Sequence, residues 1–236
     1  MVETPYWQIV LTALPLLAFI VNLSFGAFIF KRKRILVNRL FTLLMLAFCW
    51  WCVGDFGMRL ARTKASAMLM MKFINVATPC IPAIALAFVL ALENKVPSRK
   101  QIALMVIGSL VFIAMNLTGF LVTGPPEIRN GFEVYMTPTM SVSIYNGYVY
   151  FMIYMIAFTS YVIYRLLRFY RTCDNEMVKK RIRYMMLGAL ITAIVTFITE
   201  FLVPLGLFPV SFDTPSLGSL STIFITSLTY YSVRSR

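Results

Sequence analysis

No histidine occurs among the 236 residues, and only nine side chains are acidic. The first absence excludes His-based triads, HExxH zinc sites and phosphoacceptor histidines. Charged residues make up 13% of the chain, about half the share of an average soluble domain. There are four cysteines, and Cys49, Cys52 and Cys80 lie in apolar runs, so no disulfide framework is implied. Cys49 and Cys52 spell CxxC one helical turn apart, but apolar burial raises a thiol pKa rather than lowering it. With no second CxxC to complete a metal site, packing is the stronger reading. The fifteen methionines lack the clustering of a copper carrier. No GxSxG and no metal-ligand cluster supports intramembrane hydrolysis. No lysine lies in the last apolar run, 214–232, which excludes a retinal Schiff base there.

What the chain has in excess is apolar surface. It is 60% hydrophobic, with a mean hydropathy of +0.80, beyond what a soluble domain of this size hides. We read it as an integral membrane protein of the cell (plasma) membrane. The N-terminus MVETPYW lacks a basic n-region and a small-residue cleavage site, so no removable signal peptide is expected. The net charge of +13 is read as basic cytoplasmic loops rather than a nucleic-acid surface.

A bilayer crossing needs about 20 apolar residues of helix, and helices satisfy their own backbone groups in lipid. Seven segments meet that length: 6–30, 38–61, 67–92, 101–123, 143–167, 182–204 and 214–232. The expected fold is all-α, one seven-helix transmembrane domain over 1–236. Pro79 and Pro82 predict a kink in the third span. Alternate loops collect 17 of the 22 Lys and Arg on one side, which predicts an outside N-terminus and a cytoplasmic C-terminus. The loop 124–142 reads equally as a cap over the bundle or a solvated connector. The stretch RFYRTCDNEMVKKRIRY reads as a topology anchor at the headgroups or as two helices continuing past them. Asn116-Leu-Thr matches a glycosylation sequon but lies inside the fourth span and is discarded.

Ionisable groups inside a span are costly and mark candidate sites. Asp55 and Arg59 stand at i and i+4 near the outer end of the second span, with Trp51 one turn below. The third span offers Lys72 and Asn75, the fifth begins with Tyr145 and Asn146, and the sixth carries Thr192, Thr196 and Glu200. Together with Ser219, Thr222, Thr226 and Thr229 of the last span, these stripes suit an outward-facing cavity for a small amphipathic or anionic ligand. Against this stands a structural reading: Ser, Thr and Asn stripes are often interhelical packing, and Asp55 with Arg59, or Glu200 with Lys72, serve as structural pairs. The candidate ligand-binding set is Trp51, Asp55, Arg59, Lys72, Asn75, Tyr145, Asn146, Thr196 and Glu200. No catalytic residue, metal or cofactor is expected.

The run NRLFTLLMLAFCWWCVGDF followed by MMKFINVATPCIPAIALAFVLALE resembles the N-terminal seven-transmembrane sensor module of bacterial and archaeal histidine kinases. The matching features are Asn38 and Arg39 at the start of the second span, Trp50 or Trp51 midway along it, and Pro82 and Phe88 in the third. The basic connector KKRIRYMMLGALITAI, followed by a Ser/Thr-bearing final span, is a second match. The resemblance implies signal reception, with a last helix that passes the change to a cytoplasmic domain or partner protein. Members continue into a PAS, kinase or diguanylate cyclase domain, whereas this sequence ends at Arg236. It is therefore expected to be the sensor part of a longer receptor or a relative that signals through a partner.

The reading is a non-enzymatic signal-receptor module, with membrane lipids, a small ligand, a signalling partner and a homodimer as partners, and no nucleic acid. Two alternatives remain. A faint likeness between 38–56 and 182–201 allows a 3+1+3 repeat and a small transporter or lipid-handling protein, with Asp55 and Glu200 in proton coupling. The other is a non-catalytic accessory subunit of a membrane complex.

Overall fold

The computed structural model describes residues 6–32, 35–121, 127–129, 133–135, 147–202 and 215–234. Eight helices carry nearly all of them: α1 (Tyr6–Phe30), α2 (Leu36–Leu60), α3 (Lys64–Ala77), α4 (Cys80–Leu92), α5 (Arg99–Leu117), α6 (Gly147–Thr172), α7 (Glu176–Phe197) and α8 (Pro215–Arg234). Two three-residue strands, β1 (Glu127–Arg129) and β2 (Glu133–Tyr135), pair antiparallel within the loop that follows α5. That ribbon is the one addition to an otherwise helical fold among the described residues.

Side-chain caps fix where the helices begin. Thr63 and Ser66 form a reciprocal capping box at the start of α3, and Ser98 and Gln101 do the same for α5. Asn175 accepts from the backbone of Met177 and Val178 to open α7. Left-handed residues stop two others. Asn94 (φ 55°) ends α4, where Lys95 N reaches back to Leu90 O, and Gly119 (φ 80°) ends α5, where Phe120 N reaches Met115 O. The Gly119 stop corrects the expected fourth span, which was drawn to residue 123. The expected fifth and sixth spans also shift, since α6 runs on to Thr172 and α7 starts at Glu176.

The third span is two rods. Pro79 and Pro82 have no N–H to donate, so the helix opens between Ala77 and Cys80. Ile81 N takes up the Thr78 carbonyl that Pro82 leaves without a donor, at 3.2 Å, and Tyr154 Oη and Ser109 Oγ both donate to the adjacent Pro79 O, at 2.9 and 3.1 Å. The prolines thus interrupt the regular helix over Thr78 and Pro79, which keep helical dihedrals, and α5 and α6 brace that step.

Among the described residues, five helical stretches are long and apolar enough to cross a membrane: Thr12–Phe30, Leu36–Leu60, Lys64–Leu92, which joins α3 and α4, Arg99–Leu117 and Gly147–Thr172. Helices α7 and α8 lack an equally apolar stretch, α7 because of the basic residues in its first turns and α8 because of its serines and threonines. The chain is a multi-pass membrane protein.

Helix α2 is central. It packs along α1, α3, α4 and α8, while α7 and α8 form a second close pair and α8 returns to α1. Gly188 permits that second pairing, because a Cβ there would lie 2.9 Å from Ile225 Cα. The main apolar core gathers Phe41, Phe48 and Trp51 of α2, Leu86, Phe88 and Leu90 of α4, Val162 and Leu166 of α6, and Ile182 and Met185 of α7. Helix α5 is peripheral, turning Leu104, Ile107, Leu110 and Leu117 outward, as lipid contact requires.

Candidate functional site: a buried polar seam between α1, α2 and α8

Helix α8 carries hydroxyls where its neighbours carry apolar side chains, and these hydroxyls face inward. Ser219, Ser221, Thr222, Thr226, Thr229 and Ser232 are all buried. In a low-dielectric interior each needs a partner, and the partners lie on three helices. Ser219 Oγ donates to Asp55 Oδ2 of α2 at 2.5 Å, and Thr226 Oγ1 donates to Asn22 Oδ1 of α1 at 2.5 Å. Asn22 Nδ2 donates to Thr222 Oγ1 at 2.8 Å, and Thr222 Oγ1 donates to Ser219 O at 2.7 Å. Toward α7, Thr192 Oγ1 donates to Ser221 O, and Ser232 Oγ donates to Arg181 O.

Asp55 and Arg59 complete the seam. Both are buried, and Arg59 Nη2 stands 3.3 Å from Asp55 Oδ1. The i, i+4 spacing brings the two charges together on one face of α2. Each Asp55 oxygen thus has its own partner, a guanidinium on its own helix and a hydroxyl on α8. The result is a continuous hydrogen-bonded chain: Arg59, Asp55, Ser219, Thr222, Asn22, Thr226. From Ser219 to Thr226 it descends seven residues of α8, about 10 Å at the helical rise.

The other expected site residues fall elsewhere. Trp51 is buried in the apolar core, not in the seam. Lys72 and Asn75 are half-buried on α3, but α3 turns Met70, Phe73 and Ile74 toward α2: Cβ atoms at Gly54 and Gly57 would lie 2.3 Å from Ile74 Cγ1 and 2.6 Å from Met70 Sδ. By helical angle, Lys72 and Asn75 occupy the opposite side of α3. There the Lys72 carbonyl accepts from Asn116 Nδ2 at 2.8 Å. Thr196 lies near the end of α7, just before a π-turn over Ile198–Leu202 that includes Glu200. Two buried hydroxyl oxygens in this region, Thr196 Oγ1 and Thr199 Oγ1, have no hydrogen-bond partner. The side chain of Glu200, and all of Tyr145 and Asn146, lie outside the described residues.

Asn22 is a member that sequence reasoning passed over. A lone carboxamide in the apolar run of α1 is the signal that could have found it, since amides in spans bond across helices. A second polar centre was also missed, at the opposite end of the bundle. Glu93, just beyond α4, accepts from Arg165 of α6, Nε to Oε1 at 3.1 Å and Nη2 to Oε2, and Lys95 Nζ lies 2.7 Å from the same Oε2. Burial alone would raise the Glu93 carboxyl. The hydrogen bonds from Arg165 and Lys95 outweigh it and hold the group below the usual carboxylate range. Cys49 and Cys52 are free, buried thiols. Among the described residues no cluster of ligating side chains could hold a metal.

The sequence profile of the N-terminal 7TM region of histidine kinase matches residues 14–235, nearly the whole chain. The chain belongs to this family. No curated protein matches the sequence. As a histidine-kinase 7TM region, the chain combines a polar seam buried along its last helix with apolar faces on α1 and α5 that turn outward.

Proposed function

We propose that the chain is the signal-receiving module of a membrane receptor, binding a small amphipathic or anionic ligand near Arg59 and passing the change inward along α8. In this reading the bundle has seven spans, α3 with α4 forming one and α7 and α8 the last two. The N-terminus is outside, because 17 of the 22 basic side chains fall on the opposite side. The module has no catalytic role of its own and acts on a cytoplasmic domain or partner.

The observation that carries this is the bond from Ser219 to Asp55. Asp55 shares its two oxygens between a cation at the end of α2 and a neutral hydroxyl of α8. An anionic ligand that draws the Arg59 guanidinium away changes the charge balance on Asp55, and with it the hold on Ser219. That supplies the differential interaction a population shift between two packings needs. The unpartnered hydroxyls Thr196 and Thr199 add hydrogen-bonding capacity at the same end, beside a π-turn of the kind frequent at functional sites.

The test is a signalling assay with the module in its receptor context, comparing wild type with Arg59→Gln and Ser219→Ala. Arg59→Gln is expected to move the dose–response midpoint for an anionic or amphipathic signal. Ser219→Ala is expected to change the unstimulated output with little effect on that midpoint. Curves superimposable on wild type for both variants would sink the site assignment.

A further inference from the structure

Helix α7 leaves one face uncovered along its whole length. Glu176, Lys180, Arg183, Leu187, Leu190, Ile194 and Phe197 are all exposed, and their alternating spacing of four and three residues keeps them in one stripe. The stripe changes character abruptly. Its first two turns are charged, and there Glu176, Met177, Lys180, Arg183 and Tyr184 of α7 border a shallow, open depression of about 530 Å³. Above Arg183 it is purely apolar.

The depression stands at the basic end of the bundle, where α7 begins and α8 finishes. Tyr184 meets Tyr231 of α8 edge-on, with ring centroids 5.5 Å apart. Arg183 Nη2 donates to Tyr170 Oη at 3.1 Å, which steadies the guanidinium and leaves further donors of its fork unspent. Glu176, the acid of the depression, is held by Lys179 at 2.9 Å, so Lys180 and Arg183 set its sign.

We infer that this face is a binding site for an anionic phospholipid, its phosphate between Lys180 and Arg183 and its acyl chains along Leu187, Leu190 and Ile194. The order of the stripe matches such a molecule: charge at headgroup level, a mixed Met177 and Tyr184 border, then hydrocarbon. A second copy of the chain fits the apolar part alone, because a symmetric pairing would bring Lys180 and Arg183 toward their own counterparts. Basic side chains at the membrane surface attract anionic headgroups.

The experiment reconstitutes the full chain in phosphatidylcholine vesicles doped with phosphatidylglycerol and counts co-purifying lipid by native mass spectrometry. Lys180→Gln with Arg183→Gln is expected to lower retained phosphatidylglycerol roughly tenfold. The paired control Arg99→Gln with Lys100→Gln, at the same end but on α5, is expected to retain it. Thermal unfolding of each variant shows that the fold is intact. Unchanged retention in the α7 variant overturns the proposal. So does equal loss in both variants, which marks a general basic belt. Displacement of the lipid by glycerol phosphate at equal concentration points to a soluble phosphate ligand, and loss of a dimer without loss of lipid points to a protein interface. Either result overturns the assignment as well.

Discussion

Asp55 takes its arginine from its own helix, whereas Glu93 takes its arginine from another. Both acids are buried and both lie where a helix of the bundle nears its end, yet the mechanical result differs. Arg165 reaches Glu93 from α6 through two nitrogens, so the pair fastens α4 to α6. Arg59 reaches Asp55 within α2, and an i, i+4 pair fastens nothing but its own turn. The link from Asp55 to the rest of the bundle is a neutral hydroxyl, Ser219. A forked ion pair between helices resists rearrangement, while the hydroxyl of Ser219 gives Asp55 a single charge-assisted bond to α8 rather than two. One end of the molecule is therefore fastened by a forked ion pair between helices, and the other by a single hydroxyl bond to a carboxylate.

The largest expected effect lies at the Glu93 end. Arg165→Ala leaves Glu93 buried beside Lys95 alone, and loss of one partner of a buried pair costs about 3–5 kcal/mol. Unfolding in mixed micelles should register this, and Glu93→Gln combined with Arg165→Met should recover part of the loss. A cost below about 1 kcal/mol would erase the contrast between the two ends.

Asn22→Leu probes the Asp55 end. It removes two bonds between α1 and α8, at Thr222 and Thr226, and is expected to cost about 1 kcal/mol. Its main effect should appear as altered unstimulated output in the signalling assay. A stability loss as large as that of Arg165→Ala would show that the seam fastens the bundle as firmly as the ion pair does.

The smallest effect sharpens the comparison by pH. Because the folded Glu93 carboxyl lies below its ordinary value, its pairing contributes stability that is fully present above the ordinary carboxylate range. That contribution is lost as the pH falls through the lower, folded value. Wild type should lose thermal stability on acidification in that window, and Glu93→Gln should lose less. Parallel pH profiles would remove Glu93 as the titrating group.

The sequence carried the fold further than the site. Among the described residues, apolar runs located the helices to within about seven residues at their ends, because length and hydropathy are properties of one segment at a time. The Gly119 stop was overlooked since Phe120 and Leu121 continue the apolar pattern beyond it. The pairing of Asp55 with Arg59 was legible as a local spacing, but its bond to Ser219 was not, because helix rotation is set by packing between helices. The same indeterminacy grouped Lys72 and Asn75 with Asp55, although Gly54 and Gly57 press the other face of α3 against α2. Glu93 escaped notice because an acid at the end of an apolar run reads as a loop residue. Only the fold brings Arg165 to it, across 72 positions of chain.

The break between α3 and α4 has a consequence for how force travels. A helix with an unbroken ladder behaves as a stiff rod, so a push at one end arrives at the other. In the third span Pro79 and Pro82 cannot donate to the Asn75 and Thr78 carbonyls, and the nearby Pro79 carbonyl is tied sideways to Ser109 and Tyr154. The step at Thr78 and Pro79, braced by α5 and α6, is therefore the weakest point of the span between the Asp55 end and Glu93. Helices α2 and α8 have no such step, so on the proposed reading a displacement at the Asp55 end would travel along them rather than along the third span.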